Sequence, residues 1–357
     1  MKKKRLISML LVVVLLFCCA ACGKIKVHSD DGSGDAGQPN SEQTANTEPR
    51  LYNQLTGEAQ DEDTSAERPF AVMINNISVA QPQVGISKAD WIYEVEAEGG
   101  ITRMMALFTR IQDVPNIGSV RSLRPYYLSL ALSYDAIMIH GGGSDDAYKD
   151  CETYGADHLD GVKDPTAYSA MYYRDASRGA YGSEHTLFMY GDRVLPLVEQ
   201  YGMRRNHNEG YSNGLVFSDD SAALCTGEAG AVKITLNPSK TTSFTYHPDT
   251  GPYTGFQYGG DYIDGATGEA VPFSNLLVLS AKMSVYNAKE GRIAAEIIGS
   301  GTGFFCTGGK YVPITWSRTD INSPYTYTTQ DGTPITFTPG KTYCAIIPLE
   351  NAGVDFS

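Results

Sequence analysis

The sequence predicts an α+β protein, in which a mixed α/β N-terminal domain precedes an all-β C-terminal domain, a small sandwich or open barrel. Its 357 residues exceed a typical domain of about 100 to 200 residues. A hydrophobic content of 42% suffices for a sizeable buried core. Near residue 214 the pattern changes from mixed strands and helices to short β segments. The predicted domains are therefore residues 51–213 and 214–357.

The N-terminus predicts export. Residues 2–5 are all basic, and the apolar stretch Leu6–Phe17 is shorter than the about 20 residues of a membrane span. Residues 1–21 are therefore a predicted signal peptide, with an uncleaved anchor helix as the alternative. Small residues precede Cys22 as in the cleavage sites of bacterial lipoproteins, although Cys19 stands where that pattern usually has leucine. Cys22 is the predicted lipidation site, which makes the membrane a partner and places the protein on the extracytoplasmic face.

Residues 22–50 have the composition of a flexible acidic spacer, because Asp, Glu, Ser, Gly, Thr and Asn recur there without apolar periodicity. The whole chain carries a net charge of −13. Loss of the four basic residues of the signal peptide leaves 24 basic and 41 acidic side chains, a net charge of −17. Nucleic acid is therefore an improbable partner, since binding to phosphates depends on clustered basic side chains.

Three strands are predicted early in the N-terminal domain, over Phe70–Ile74, Ile92–Glu98 and Ile101–Arg110. The second and third flank Gly99-Gly100 and so predict a hairpin. A two-residue turn would place Glu96 opposite Arg103, and Glu94 opposite Met105.

A helix is predicted from Pro125 to Tyr134, with Ser122 and Pro125 at its start and an amphipathic pattern. A strand over Asp135–His140 follows and runs into a triple glycine. Ser144 or Asp145 would then cap a helix that ends near Thr153. A strand over His185–Tyr190 and a helix over Asp192–Tyr201 complete this domain.

Nine short segments rich in Val, Ile, Thr, Tyr and Phe predict the strands of the C-terminal domain. They are 231–236, 243–247, 256–258, 276–280, 293–298, 303–306, 311–316, 335–338 and 342–347. Four cysteines lie beyond the anchor, and an extracytoplasmic location permits disulfides among them. For Cys306 and Cys344, which lie in apolar strand-like stretches, buried free thiols are favoured.

Several motifs follow one another in order along the chain, namely Arg68–Asn76, Pro82–Asp90, Glu98–Arg103, Ile117–Ser122, Tyr134-Asp135 and His140–Ser144, followed by 299–303, 314–317 and 339–342. Together they resemble the motifs of the YerB-like lipoproteins. The resemblance extends over nearly all of residues 51–348. It implies a surface lipoprotein of Gram-positive type with a mixed N-terminal and a β-rich C-terminal domain. It implies no known activity.

An anion site is predicted in the N-terminal domain. Four arginines lie between Gly99 and Tyr134, opposed only by Asp113, and these are Arg103, Arg110, Arg121 and Arg124. Guanidinium groups match carboxylate or phosphate bidentately. The alternative is pairing within the fold, of Arg103 with Glu96 and of the others with Glu94, Glu98 or Asp135.

The glycine loop adds to the predicted anion site. Gly141, Gly142 and Gly143 follow a strand and precede a helix, so their N–H groups could point at the same anion. The candidate anion-binding residues are Arg103, Arg121, Arg124, His140, Gly141, Gly142, Gly143 and Ser144. Tyr173–Asp175 and His185 add polar groups that could converge on the same cleft.

A catalytic alternative rests on Glu98, His140 and Asp175. Glu94, Glu96 and Glu98 alternate at about 7 Å, a separation within the range of paired carboxylates in inverting glycosidases. A solvated strand face is favoured over that reading. Ser144 lacks the surroundings of a GxSxG nucleophile, so its role as a helix cap is favoured.

Two function classes follow from these residues. The first is a binding module for an anionic cell-envelope component or a protein partner. The second is an envelope hydrolase that acts on a glycan or phosphodiester, with Glu98 or His140 as acid or base and with Arg121 and Arg124 holding the anion. The sequence has no P-loop, HExxH or EF-hand pattern, so no metal site and no cofactor are predicted.

Overall fold

The computed structural model describes residues 51–357, which form one compact unit. The predicted signal peptide, Cys22 and the spacer up to residue 50 lie outside the described residues.

The N-terminal region contains four α-helices and ten short strands. The helices are α1 Pro125–Ser133, α2 Asp145–Tyr154, α3 Pro165–Met171 and α4 Val194–Gln200. The strands are β1 Leu51–Tyr52, β2 Ala59–Gln60, β3 Phe70–Asn76, β4 Trp91–Glu96, β5 Thr102–Phe108, β6 Ile117–Gly118, β7 Ile137–His140, β8 His158–Asp160, β9 Tyr172–Arg174 and β10 Leu187–Met189. Short 3-10 helices occur at Ser78–Ala80, Ile86–Lys88, Glu98–Gly100, Ile111–Asp113, Ala176–Tyr181, Ser183–His185 and Gly191–Arg193.

The C-terminal region is built from strands. They are β11 Gly227–Glu228, β12 Ala231–Asn237, β13 Lys240–Tyr246, β14 Tyr253–Gln257, β15 Gly260–Asp261, β16 Pro272–Phe273, β17 Asn275–Ala281, β18 Met283–Asn287, β19 Arg292–Ala295, β20 Gly299–Thr307, β21 Lys310–Arg318, β22 Thr326–Thr329, β23 Thr342–Pro348 and β24 Gly353–Phe356. The predicted α+β class is confirmed, and the C-terminal region, predicted as all-β, is mostly β with one 3-10 helix at Ser221–Leu224.

One predicted strand is wrong. Residues 335–338 lie between Pro334 and Pro339, which have no N–H group to donate to a ladder. Phe337 forms only a single bridge, with Phe217.

The central sheet joins the two regions of the chain. Its eleven strands follow the order β11-β21-β20-β17-β23-β4-β5-β3-β7-β8, with β22 beside β21. C-terminal β23 lies between β17 and N-terminal β4 and is parallel to both. The domain boundary between residues 213 and 214 stays a prediction, and this sheet crosses it.

Both faces of the central sheet are covered. On one face, alternate residues of β3 such as Val72 pack in the same core as Ile234 and Phe244 of a six-stranded sheet of β12–β16 and β24. On the other face, Met73 packs in a core with residues of α1. Nearly every side chain of α1 is buried, so its predicted amphipathic pattern is wrong. The helix contacts β7, α2 and β19, which leaves it little solvent-facing surface.

The hairpin of β4 and β5 has a register one residue away from the prediction. Glu94 pairs with Met104, and Val95 pairs with Arg103. The prediction assumed a two-residue turn, whereas three residues form the loop and the N–H of Ala97 donates to the carbonyl of Ile101 at 2.8 Å. Gly99 and Gly100 both have positive φ angles, of 72° and 73°, which accommodates the longer loop.

Glu94 is fully buried between the two large sheets, so the prediction of a solvated face is wrong for it. Its carboxylate accepts hydrogen bonds from Asn76 at 2.8 Å and from Thr102 at 2.5 Å, and it also accepts one from Tyr343. The Lys240 ammonium lies 3.3 Å away. This carboxylate is hydrogen-bonded at both oxygens and ties β4 to strands of the C-terminal region, which is a structural role.

All four cysteines of the described residues are buried free thiols, namely Cys151, Cys225, Cys306 and Cys344. The prediction for Cys306 and Cys344 is confirmed.

Candidate functional site

The site lies where two parallel strands end. β7 ends at His140 and its neighbour β8 ends at Asp160. Because both strands run in the same direction, the residues that follow them meet at one edge of the sheet. The triple glycine Gly141–Gly143 follows β7 at this edge, and residues 161–163 follow β8. Ser144 then caps α2 by accepting a hydrogen bond from the N–H of Ala147 at 3.2 Å, so its predicted role as a helix cap is confirmed.

A cavity of about 360 Å³ opens beside the triple glycine, and we call it the glycine cavity. Its charged lining residues are Arg121, Lys163, Arg174 and Glu184. Three cations therefore face one carboxylate, and that carboxylate is half exposed to solvent. The remaining wall is formed mainly by backbone of Gly141–Gly143 and by small or apolar side chains. This excess of positive charge is notable in so acidic a chain.

Arg121 is the most enclosed of these cations. Its Nη1 donates to the backbone carbonyl of Glu184 at 2.9 Å. Its Nε is buried and has no hydrogen-bond partner among the described residues. Burial, with the nearby charge of Arg103, lowers the pKa of Arg121 to about 10. The guanidinium is still charged at neutral pH and has spare donor capacity, which is the chemistry that binds an oxyanion.

The other two cations, Arg174 and Lys163, are exposed. Arg174 donates to the carbonyl of Ser183 at 2.6 Å and more weakly to the hydroxyl of Thr186 at 3.4 Å. The Lys163 ammonium lies 3.4 Å from the centroid of the Tyr148 ring. This cation–π contact holds the ammonium at the cavity wall.

The glycine N–H groups do not form the predicted anion cradle. The N–H of Gly141 donates to the carbonyl of Arg121 at 3.0 Å, and that of Gly142 donates to the Asp160 carboxylate at 2.8 Å. Two of the three glycine N–H groups are therefore hydrogen-bonded within the protein and are not available to an anion. The glycines serve packing instead, because a Cβ on Gly141 would lie 2.5 Å from Leu187 and Gly142 has a φ of +77°.

His140 is buried beneath the loop and does not line the cavity. Its Nδ1 lies 2.8 Å from the carbonyl of Gly142, and its Nε2 lies 3.0 Å from Nδ1 of His158. Burial lowers the pKa of His140 to about 4, so the ring is neutral at pH 7. With both nitrogens engaged, His140 shapes the glycine loop and is not placed to contact an anion.

Arg103 and Arg124 belong to a separate cluster that is closed by Glu98. Both guanidinium groups pair with the same carboxylate, and Nε of Arg124 lies 3.0 Å from Oε2 of Glu98. Burial alone would raise the pKa of Glu98, but the two arginines outweigh it and hold that pKa at about 2. The prediction that Arg103 pairs with Glu96 is therefore wrong. Arg124 pairs with Glu98, as the alternative to an anion site predicted. We call Glu98, Arg103 and Arg124 the Glu98 cluster.

The residues of the catalytic alternative do not meet. Glu98 is ionised and neutralised, His140 is enclosed, and Asp175 accepts a hydrogen bond from the N–H of Ser177 at 2.9 Å at the start of a 3-10 helix. None of the three lines the glycine cavity.

The sequence prediction missed Lys163 and Glu184. Lys163 could have been found from β8, a three-residue strand that was not predicted. Because β8 is parallel to β7, the residues that follow it, 161–163, lie at the same sheet edge as the triple glycine. Glu184 lies in the 3-10 turn Ser183–His185, and no sequence pattern distinguishes it from other exposed acids.

Family models match both regions of the chain. Residues 55–204 match the N-terminal domain, and residues 232–344 the C-terminal domain, of a protein family of unknown function, DUF3048. The chain belongs to this YerB-like family. Over 306 residues it is 29% identical to the "Putative lipoprotein YerB" of Bacillus subtilis (strain 168), which covers 85% of this chain and 88% of that protein.

A crystal structure of the YerB protein from Bacillus subtilis has the same fold as this YerB-like chain. The TM-score is 0.74 at 28% identity, and the match covers 86% of this chain and all of the other. No helix within residues 51–357 is both long and apolar enough to cross a membrane.

Proposed function

We propose that this YerB-like protein is a lipid-anchored binding module that takes an anionic component of the cell envelope into its glycine cavity. The observation that carries the proposal is the half-buried Arg121 guanidinium, which has no carboxylate partner within salt-bridge distance among the described residues and whose buried Nε–H group is unused. Arg174 and Lys163 add charge at the rim of the same cavity. A bound phosphate or carboxylate would supply the acceptors that this group lacks.

The inferred extracytoplasmic location supports the same proposal. The relative from Bacillus subtilis is named as a lipoprotein, and Cys22 stands in a lipoprotein-like cleavage pattern. Lipid on Cys22 would hold the cavity close to the anionic polymers of the envelope. Cys22→Ala should leave the protein unlipidated by mass spectrometry, and a lipidated variant would contradict the assignment of this residue.

The cavity is tested by calorimetric titration of the full chain in detergent with inorganic phosphate and, separately, with acetate. Arg121→Gln should weaken the binding of the preferred anion at least about tenfold, because a hydrogen bond to a charged group contributes about 1.5 to 3 kcal/mol. Binding should also weaken as salt rises, since the cavity opens to solvent.

The matched control is Arg110→Gln. Arg110 belongs to the same arginine-rich segment but lies outside the glycine cavity, where it pairs with Glu62 and Asp113. Its replacement should leave the affinity for phosphate and acetate unchanged. Equal affinities of Arg121→Gln and the unmodified chain for both anions would refute the proposed site.

A further inference from the structure

A two-stranded ribbon stands apart from the large sheets. β18 and β19 pair only with each other, through Met283 with Ala295 and Val285 with Ile293. The outer edge of β19 is therefore not paired with any described strand. An open strand edge is a template for the addition of another strand.

The hydrogen-bond pattern identifies the groups on that open edge. The N–H of Glu296 donates to the carbonyl of Lys282 at 2.9 Å. In an antiparallel ladder hydrogen-bonded pairs alternate, so the next bonded pair is Ser284 with Ala294. The N–H and C=O groups of Ile293 and Ala295 therefore point away from β18. Neither residue forms a backbone hydrogen bond with any other described strand or loop.

An apolar cavity of about 360 Å³ lies beside this edge, and we call it the β19 cavity. Its walls include Tyr126 from α1, Tyr286 from β18, and Ile293, Ile297 and Ile298 from β19 and the residues after it. Ile298 and Tyr286 are 44% and 46% exposed. The volume accommodates one or two aliphatic side chains of a neighbouring strand.

The charged side chains that line the β19 cavity are all acidic. Asp150 and Glu296 are the charged residues of its lining. Glu296 pairs with Lys282 at 2.6 Å. Asp150 forms no salt bridge within residues 51–357, and burial together with nearby Asp146 raises its pKa. A cation on the occupant would complete this site.

We infer that the β19 edge binds an extended peptide segment of another protein as a third strand. Alternate apolar side chains of the peptide enter the β19 cavity, and a lysine or arginine of the peptide faces Asp150. Strand addition supplies affinity through main-chain hydrogen bonds and specificity through the pockets for alternate side chains. The β19 cavity shares no lining residue with the glycine cavity, so this inference stands independently of anion binding.

The test is selection of displayed random heptapeptides on the full chain in detergent, followed by fluorescence anisotropy with the selected peptides. We expect peptides that alternate apolar and polar residues and carry at least one lysine or arginine. Ala295→Pro removes one outward N–H without removing a bond to β18, and it should weaken their binding at least about tenfold. Asp150→Asn should weaken the binding of basic peptides about threefold and leave the binding of uncharged peptides unchanged.

A second measurement does not depend on the folding of a variant. N-methylation of alternate peptide amides should abolish binding in one register and spare it in the other, because only one edge of the peptide faces β19. Equal binding of both methylated forms would overturn the inference. So would a dimer of the full chain that Ala295→Pro abolishes and the selected peptides dissociate, since the edge would then belong to a second copy of this chain.

Discussion

The Glu98 cluster and the glycine cavity draw their arginines from one short segment and use them in opposite ways. In the cluster, one carboxylate lies between Arg103 and Arg124 and neutralises much of their charge. In the cavity, Arg121 donates to a backbone carbonyl and has no carboxylate within salt-bridge distance among residues 51–357. A count of arginines therefore does not locate a binding site. The informative feature is a half-buried cation, with a buried and unused Nε–H group, that the described residues leave without a carboxylate partner.

The largest effect is expected from Glu98→Ala. This change leaves Arg103 and Arg124 without their shared partner, and Arg103 has a side chain only 3% exposed. Breaking a buried ion pair from one side typically costs about 3 to 5 kcal/mol, so the free energy of unfolding in urea should fall by about that amount. Affinity for phosphate in the glycine cavity should be retained where the variant is folded. A loss below about 1 kcal/mol would show that the Glu98 cluster contributes little to stability.

The second prediction concerns unfolding by acid, because the ionisation of Glu98 and that of His140 affect stability in different pH ranges. Glu98 has a lowered pKa of about 2, so its contribution to stability is complete above its ordinary pKa and is lost as the pH falls from about 4.5 through about 2. His140 is buried and neutral with a pKa near 4. Protonation is therefore easier in the unfolded chain, and stability falls between about pH 6.5 and 4, by about 2 to 3 kcal/mol.

The measurement is urea unfolding at a series of pH values. His140→Gln should flatten the slope between pH 6.5 and 4 and leave the lower range unchanged, whereas Glu98→Ala should do the reverse. His158 and His185 also have lowered pKa values from burial, so part of the upper slope should persist in His140→Gln. An unchanged upper slope in this variant would contradict the burial of a neutral His140.

The elements of the fold followed from local pattern where that pattern was strong. The buried strand at β3 and the proline-started helix α1 were predictable because each combines apolar residues with a clear boundary signal. The parallel position of β23 beside β4 was not predictable, since the two strands are about 250 residues apart in the chain. Pairing at that separation depends on the whole fold and not on either segment.

The site was predictable in part for the same reason. Arg121 and the glycine loop were predicted to lie together because only α1 and β7 separate them in the chain. Both line the glycine cavity. The hairpin register could not be read from Gly99-Gly100, because two- and three-residue turns share this sequence and differ by one residue in pairing. That single residue places Arg103 opposite Val95 and not opposite Glu96, and Arg103 pairs with Glu98 instead. Glu94 is buried for a different reason, because both faces of the sheet are covered.

A smaller effect is expected from Glu184→Gln, which removes the one carboxylate that lines the glycine cavity. Glu184 is half exposed, so its repulsion of an incoming anion is screened by solvent. Phosphate affinity by calorimetry should rise about threefold, within the range of an exposed charge pair. Glu62→Gln, on the surface beside Arg110, is the matched control and should leave that affinity unchanged. A fall in affinity would indicate that Glu184 positions Arg121 and does not repel the ligand.

The smallest effect is expected from Arg110→Ala, which removes the one arginine of the segment that belongs to neither region. Arg110 pairs with Glu62 and Asp113, and all three side chains are a third or more exposed. In such surroundings water solvates the separated charges almost as well as the pair does, and ordering the long side chains costs entropy. The free energy of unfolding in urea should therefore change by less than about 0.5 kcal/mol. Because Arg103 differs from Arg110 mainly in burial, a loss approaching that of Glu98→Ala would mean that burial does not set the energetic weight of these arginines.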